Sequence, residues 1–349
     1  TARAEPGQPA PDAAAADAAG QASQAGQADQ TDQTDQTESG DQPLLFRGTR
    51  EDIPKAYRDS KDRVILRSDG RPTYFAADIA YHDHKLARGH DHLINILGAD
   101  HHGYVSRLKG VIHALGDLRS SEGDPLGSRW SGDRLEVVLM QMVALLRGGQ
   151  PVPMGKRSGE FVTLREVIEE VTTTTEASGR DAVRFLFLTR KCDAQLDFDL
   201  EVARRTSLDN PVYYVQYGHA RLASVLQRAE DAGRPFDPQA IDASALGLDD
   251  ERQLALAIAS YPDVVARAAR SREPHQIAFY LMDTCRAFHG YYSRHKGDDR
   301  VISDDGDRTR SRLALVAALA RVIANGLGLL GVSAPERMNA LVEDEDGAG

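Results

Sequence analysis

Tyr74, Asp78 and His82 are spaced four residues apart, so a helix through them sets a phenol, a carboxylate and an imidazole on one stripe. Three chemistries compete for that stripe. The carboxylate and the histidines can be solvated surface groups. The segments His82-Asp83-His84, His90-Asp91-His92 and Asp100-His101-His102 have the composition of metal-ligand clusters. However, alternate helical residues diverge, and neither an HExxH motif nor a zinc-type Cys/His spacing is present, so no metal site is expected. Finally, a carboxylate can take a planar guanidinium in two parallel hydrogen bonds, with a tyrosine one turn away supplying a hydroxyl and a ring face. Spacing alone leaves the solvated and guanidinium readings open.

The elements that must position these groups are legible nearby. The stretch from Ser68 to Tyr104 holds six of the eleven histidines. Arg63 to Leu66 is β-prone, and Asp69-Gly70 supplies a turn that folds it back. Pro72 keeps Arg71 extended, so a helix begins at about Thr73. The run HLINIL (His92 to Leu97) reads as a strand ended by Gly98. Asp100, His101 and His102 then lie at a strand's carboxyl end, where open α/β sheets bind ligands. A helix over 103–115 and a second apolar strand over 134–143 (RLEVVLMQMV) follow. Thr163 and Glu166 form a capping box for a helix over 164–171, and another helix spans 180–190. After Asp199 the apolar spacing turns to 3.6 residues, predicting helices over 201–231, 249–271, 274–295 and 308–330. The fold class is therefore α/β followed by all-α.

A second chemical feature is the loop Met154-Gly155-Lys156-Arg157-Ser158-Gly159. It is not a Walker-type P-loop, because five residues separate Gly149 from Gly155 and Arg157 stands where Ser or Thr is required. Two adjacent cations on a glycine-flanked loop still suit a phosphate chain; a solvated basic turn has the same composition.

The net charge of −11 is concentrated in the polar segment 1–43 and the acidic stretch 339–349, leaving the interior neutral, so a polyanionic partner is not excluded. The first segment, rich in Ala, Gln, Asp, Thr and Gly, is expected to be disordered, since it has too little apolar surface to offset its ordering entropy. Two cysteines, Cys192 and Cys285, suit a reducing compartment. No signal-peptide pattern opens the chain, and the most apolar helix, Leu313 to Leu330, carries Arg321 and Asn325 and reads as a core helix rather than a membrane span. A cytoplasmic monomer without membrane association is expected.

The ordered runs SDGRPTYFAADIAYH, INILGADHHGY, LEVVLMQMV, MGKRSGEFVTLREVIEEV, DAVRFLFLTRK, LDFDLEVA, DNPVYYVQYGHAR and IANGLGLLGVSAPERM resemble the arginyl-tRNA synthetase family, a class I aminoacyl-tRNA synthetase, from about Lys61 to Met338. The resemblance implies that residues 44–199 are the second half of a Rossmann-like catalytic domain and residues 200–338 a helical anticodon-binding domain. It implies that Tyr74 and Asp78 recognise arginine, and that Gly98, Asp100 and His102 flank ATP. Met154, Gly155, Lys156 and Arg157 would grip its phosphates, with Lys156 catalytic. Tyr214, Tyr217 and Arg221 would contact tRNA, although helix core is the alternative for Tyr213, Tyr214 and Tyr217. The expected substrates are arginine, tRNA and ATP with Mg2+, with no tightly bound cofactor. Two departures stand out. The loop of K-M-S-K type reads Pro153-Met154-Gly155-Lys156, without its first lysine and serine, and no His-x-Gly-His tetrapeptide occurs. The resemblance thus points to a carboxyl-terminal portion, expected to be inactive alone; a non-catalytic tRNA-binding paralogue is the alternative.

Overall fold

The computed structural model describes residues 42–125, 127, 130–153, 162–173, 176–239, 241–295 and 300–338. Nearly all of the polar segment 1–43, all of 339–349, and the loop residues Met154, Gly155, Lys156 and Arg157 lie outside the described residues. The chain divides into two compact units, one ending at Gln141 and the other beginning at Met142.

In the first unit, β1 (Leu44–Phe46) pairs antiparallel with β2 (Arg63–Leu66). The chain reverses after β2 through Gly70, whose φ of +78° is a conformation that only glycine adopts without strain. Thr73 then does two jobs: its hydroxyl donates to the Val64 carbonyl at 2.8 Å and accepts from the Ala76 N–H. It thereby caps α1 (Tyr74–Ala87) and ties the helix start to β2. β3 (Leu93–Gly98) pairs parallel with β4 (Leu135–Met140), in register from Leu93 opposite Leu135 to Gly98 opposite Met140.

The crossover between these strands is α2 (Val105–Ser121). It follows a 3-10 turn over Ala99–Tyr104, where a regular helix from 103 was expected. Leu86, Leu93, Leu108, Ile112, Trp130 and Leu135 form the core beneath the strands. Gly116 is required there, since a Cβ would meet the Trp130 carbonyl at 2.4 Å. On the other side of the strands Ile94, Ile96 and Met140 are exposed.

The second unit opens with β5 (Val143–Arg147), parallel to β7 (Leu196–Asp199) and antiparallel to β6 (Gln150–Pro151). The run expected to be one strand over 134–143 is therefore two strands with different partners, separated by exposed Gln141 and Met142. An unbroken apolar run does not reveal where pairing changes hands. α3 (Leu164–Val171) carries the predicted Thr163/Glu166 capping box, and α4 (Glu176–Phe187) follows it, four residues ahead of the expected start.

The expected helix over 201–231 is likewise two, α5 (Leu200–Arg204) and α6 (Pro211–Asp231). Pro211 lacks an N–H and biases Asn210 away from the helical region. The buried Asn210 amide caps α6 through the Val212 N–H at 3.3 Å and donates to the Ala203 and Arg205 carbonyls. α7 (Asp249–Ser271), α8 (His275–Arg294) and α9 (Gly306–Leu329) complete the bundle. One core joins all of it, from Leu145 through Phe185, Phe198, Leu222, Leu281 and Leu319 to Val332. Residues 142–199 pack into this core with the helices that follow them. α9 is long and apolar enough to cross a membrane, but half of its most apolar window is buried in the bundle.

Candidate functional site

α1 begins at Tyr74, just after its cap Thr73, so Tyr74 and Asp78 fall on its first two turns. Tyr74 is 61% exposed and lines an open groove of about 580 Å³ with Arg67, Arg71, Ala77 and Ala80. Asp78 is half-buried, and one of its carboxylate oxygens accepts a hydrogen bond from the Tyr104 hydroxyl. Tyr104 closes the 3-10 turn that starts after Gly98. This bond therefore joins the Asp78 carboxylate to the turn carrying Asp100 and His102. Both of those residues are exposed. Gly98 precedes this turn, with the Asp100 carboxylate folded over it: a Cβ there would lie 2.6 Å from Oδ1 of Asp100.

The backbone behind Asp78 is fixed as well. His82 Nδ1 donates to the Asp78 carbonyl at 2.7 Å, so its Nε2 is the acceptor for the Asn95 amide at 2.8 Å. The Asn95 oxygen takes Lys85 Nζ at 2.9 Å. Burial lowers the His82 pKa, consistent with a neutral ring in this relay. The stripe is thus anchored to β3 from behind while Tyr74 faces outward. Asp83 takes the Arg119 guanidinium at 2.8 Å and His84 is exposed, so His82, Asp83 and His84 do not converge on an ion.

A second buried charge cluster braces the turn. Asp59 is held by Arg63 at 2.8 Å and by Arg107 at 2.9 Å. Burial alone would raise its carboxyl, but the hydrogen bonds from Arg63 and Arg107 outweigh it and hold the pKa at about 2. Arg107 in turn lies over the Tyr104 ring, 4.7 Å from its centroid. Tyr104, Asn95, Asp59 and Arg107 are site residues that sequence reasoning did not single out. Tyr104 closes the quoted run INILGADHHGY, but a partner 26 residues away leaves no local signal.

In the second unit Tyr214, Tyr217 and Arg221 follow one another along α6, all half-buried. His289 on α8 is their common neighbour: Tyr214 meets it edge-on at 5.2 Å, and Tyr217 stacks on it at 5.9 Å. Arg221 Nη1 donates to His289 Nδ1 at 3.2 Å and lies over the Tyr292 ring at 4.8 Å. Tyr214 also packs on the core, so it carries the core role weighed against tRNA contact; Tyr217 and Arg221 sit at its margin.

Burial first, and then the Arg221 charge, push the His289 pKa down to about 4. The ring is therefore neutral in the folded chain, and the unfolded chain takes up a proton between pH 6.5 and about 4. Stability fully present above pH 6.5 should thus be lost as the pH falls toward about 4, by up to roughly 3 kcal/mol. His289→Phe should flatten this part of the pH profile of urea unfolding; an unchanged slope would place the ring's titration elsewhere.

Residues 215–338 match the family of the DALR anticodon binding domain. The chain is 50% identical over 306 residues to an arginine–tRNA ligase of Anaeromyxobacter sp. (strain Fw109-5), covering 86% of this chain and 46% of that protein. It is 50% identical over 285 residues to the arginine–tRNA ligase of Desulfosudis oleivorans, covering 81% of this chain and 47% of that one. It thus spans about half the length of these relatives. Among solved structures, an arginyl-tRNA synthetase from Campylobacter jejuni superposes with a TM-score of 0.68 at 33% identity, covering 86% of this chain and 59% of that chain. The Thermus thermophilus arginyl-tRNA synthetase shares the fold, with a TM-score of 0.65 at 23% identity over 85% of this chain and 54% of that one. The chain, an incomplete Rossmann-like half followed by a helical anticodon-binding domain, is a relative of the arginyl-tRNA synthetases and corresponds to their carboxyl-terminal portion.

Proposed function

We propose that the chain is the carboxyl-terminal portion of an arginine–tRNA ligase, residues 44–199 serving the chemistry and residues 200–338 holding tRNA. In this reading the arginine carboxylate attacks the α-phosphorus of ATP·Mg2+, pyrophosphate leaves, and arginine then passes to the terminal ribose of tRNA in the cytoplasm. The chain's part is to place the reactants. Tyr74 and Asp78 take the arginine head group, and Gly98, Asp100 and His102 border the adenosine. Lys156, with Met154, Gly155 and Arg157, grips the phosphates as charge develops. Tyr214, Tyr217 and Arg221 offer rings and a cation to the nucleic acid.

One observation carries this reading: the Asp78 carboxylate, on the same stripe as exposed Tyr74, is tied through Tyr104 to the turn at the carboxyl end of a parallel strand. The test is arginine-dependent ATP–pyrophosphate exchange. The chain combined with the amino-terminal portion of the Anaeromyxobacter relative should exchange, and the chain alone should not. Exchange by neither would sink the catalytic reading.

The match of residues 215–338 to an anticodon-binding family favours a second reading, a tRNA-binding module without chemistry. It predicts affinity for tRNA that weakens steeply with salt and no exchange in any combination.

A further inference from the structure

We propose that Tyr104 is the positioning residue that fixes the plane of the Asp78 carboxylate, and through it the preference of this site for a planar guanidinium over an ammonium ion. The inference rests on Asp78 being the arginine ligand, as proposed above.

The Tyr104 hydroxyl donates to Oδ2 of Asp78. Oδ1 makes no hydrogen bond among the described residues, and Oδ2 keeps a second lone pair. Both oxygens therefore remain able to accept from a substrate, but the group can no longer turn freely about its last torsion. The hydroxyl itself is held from three sides. The ring meets Phe75 edge-on at 6.3 Å and His101 edge-on at 6.3 Å, and the Arg107 guanidinium caps its face at 4.7 Å. Arg107 is anchored at 2.9 Å to buried Asp59, which Arg63 also holds. β2, α1 and α2 all contribute to the placement of this one oxygen. Burial, then the Asp78 charge, raise the phenol's pKa, so it stays a donor.

The consequence lies in what each substrate needs. A guanidinium makes its two parallel bonds only when both carboxylate oxygens lie in its plane, whereas an ammonium is a point charge that accepts any torsion. Fixing the torsion in advance removes an ordering cost that arginine would otherwise meet and lysine would not. Selectivity here is a difference between two affinities, and the tyrosine acts on one of them.

The experiment is equilibrium dialysis of the full chain against radiolabelled arginine and, separately, lysine. Tyr104→Phe keeps the ring and its neighbours but removes the donor. It should raise the Kd for arginine about tenfold and leave that for lysine within about twofold, so the lysine-to-arginine ratio falls about tenfold. Asp78→Glu is the second variant. It keeps the charge but carries the carboxylate away from the hydroxyl, and it should narrow the ratio in the same way. Circular dichroism establishes folding, and if Tyr104→Phe does not fold, Asp78→Glu decides. A ratio unchanged from wild type in a folded variant overturns the inference. Asp78→Asn separates this from the underlying reading. If it abolishes arginine binding while Tyr104→Phe keeps the wild-type ratio, only the tyrosine's role is lost. If the wild-type chain binds no arginine, or Asp78→Asn binds it normally, both fall.

Discussion

Replacing Glu251 with alanine is expected to destabilise the helical unit by about 3–5 kcal/mol, the usual cost of breaking a buried ion pair by removing one of its members. Glu251 and Arg312 are 0% and 1% exposed, and Arg312 Nε donates to Glu251 Oε1 at 2.6 Å. The other glutamate oxygen accepts from the Leu248 N–H at 2.9 Å, closing the first turn of α7. Arg312 also donates to the Arg300 carbonyl at 3.0 Å. The pair therefore clamps α7 to α9 and to the segment preceding α9. Alanine would take from the 1% exposed Arg312 guanidinium the carboxylate that meets it at 2.6 Å. The double replacement Glu251→Leu with Arg312→Met should cost much less than either single change, because it removes both desolvation costs together. Urea unfolding followed by far-ultraviolet circular dichroism measures all three. A single variant as stable as the parent would mean that water already reaches the pair.

Asp78→Ala, in the chain combined with its complementary half, should raise the arginine KM by at least about 100-fold, equivalent to about 3 kcal/mol. The ATP KM should stay within about twofold. The asymmetry follows from the proposed roles, since Asp78 is taken as the arginine ligand while the nucleotide is assigned to the turn after β3, which the Asp78 carboxylate meets only through Tyr104. If both constants rose together, Asp78 would be a strut for Tyr104 and its turn, not a ligand.

What could be read from the chain beforehand was its local grammar. The start of α1 just after Thr73 follows from Pro72 and a threonine that can cap, and the Thr163/Glu166 box is complete within four residues. The break at Asn210-Pro211 was also written locally, but apolar spacing on both sides outweighed it. Pairing was hidden for a different reason. Nothing in LEVVLMQMV marks Leu139 as a partner of β3 and Val143 as a partner of β7, because register is decided by residues far along the chain. The same holds for the site. Tyr74 and Asp78 share a stripe that spacing announces, whereas the Tyr104 bond, the Asn95 relay and the Arg312 clamp join residues up to 61 positions apart. Such contacts exist only once the backbone is folded.

Parallel strands are ordinarily sheathed on both sides, yet among the described residues β3 and β4 have helices on one side only. Ile96 is 66% exposed and Ile94 and Met140 nearly half exposed, which makes an adhesive strip out of what would otherwise be sheet interior. Concentration, more than temperature, should therefore limit how long preparations of this polypeptide stay dispersed. Light scattering should rise steeply with protein concentration, and Ile96→Lys should blunt that rise.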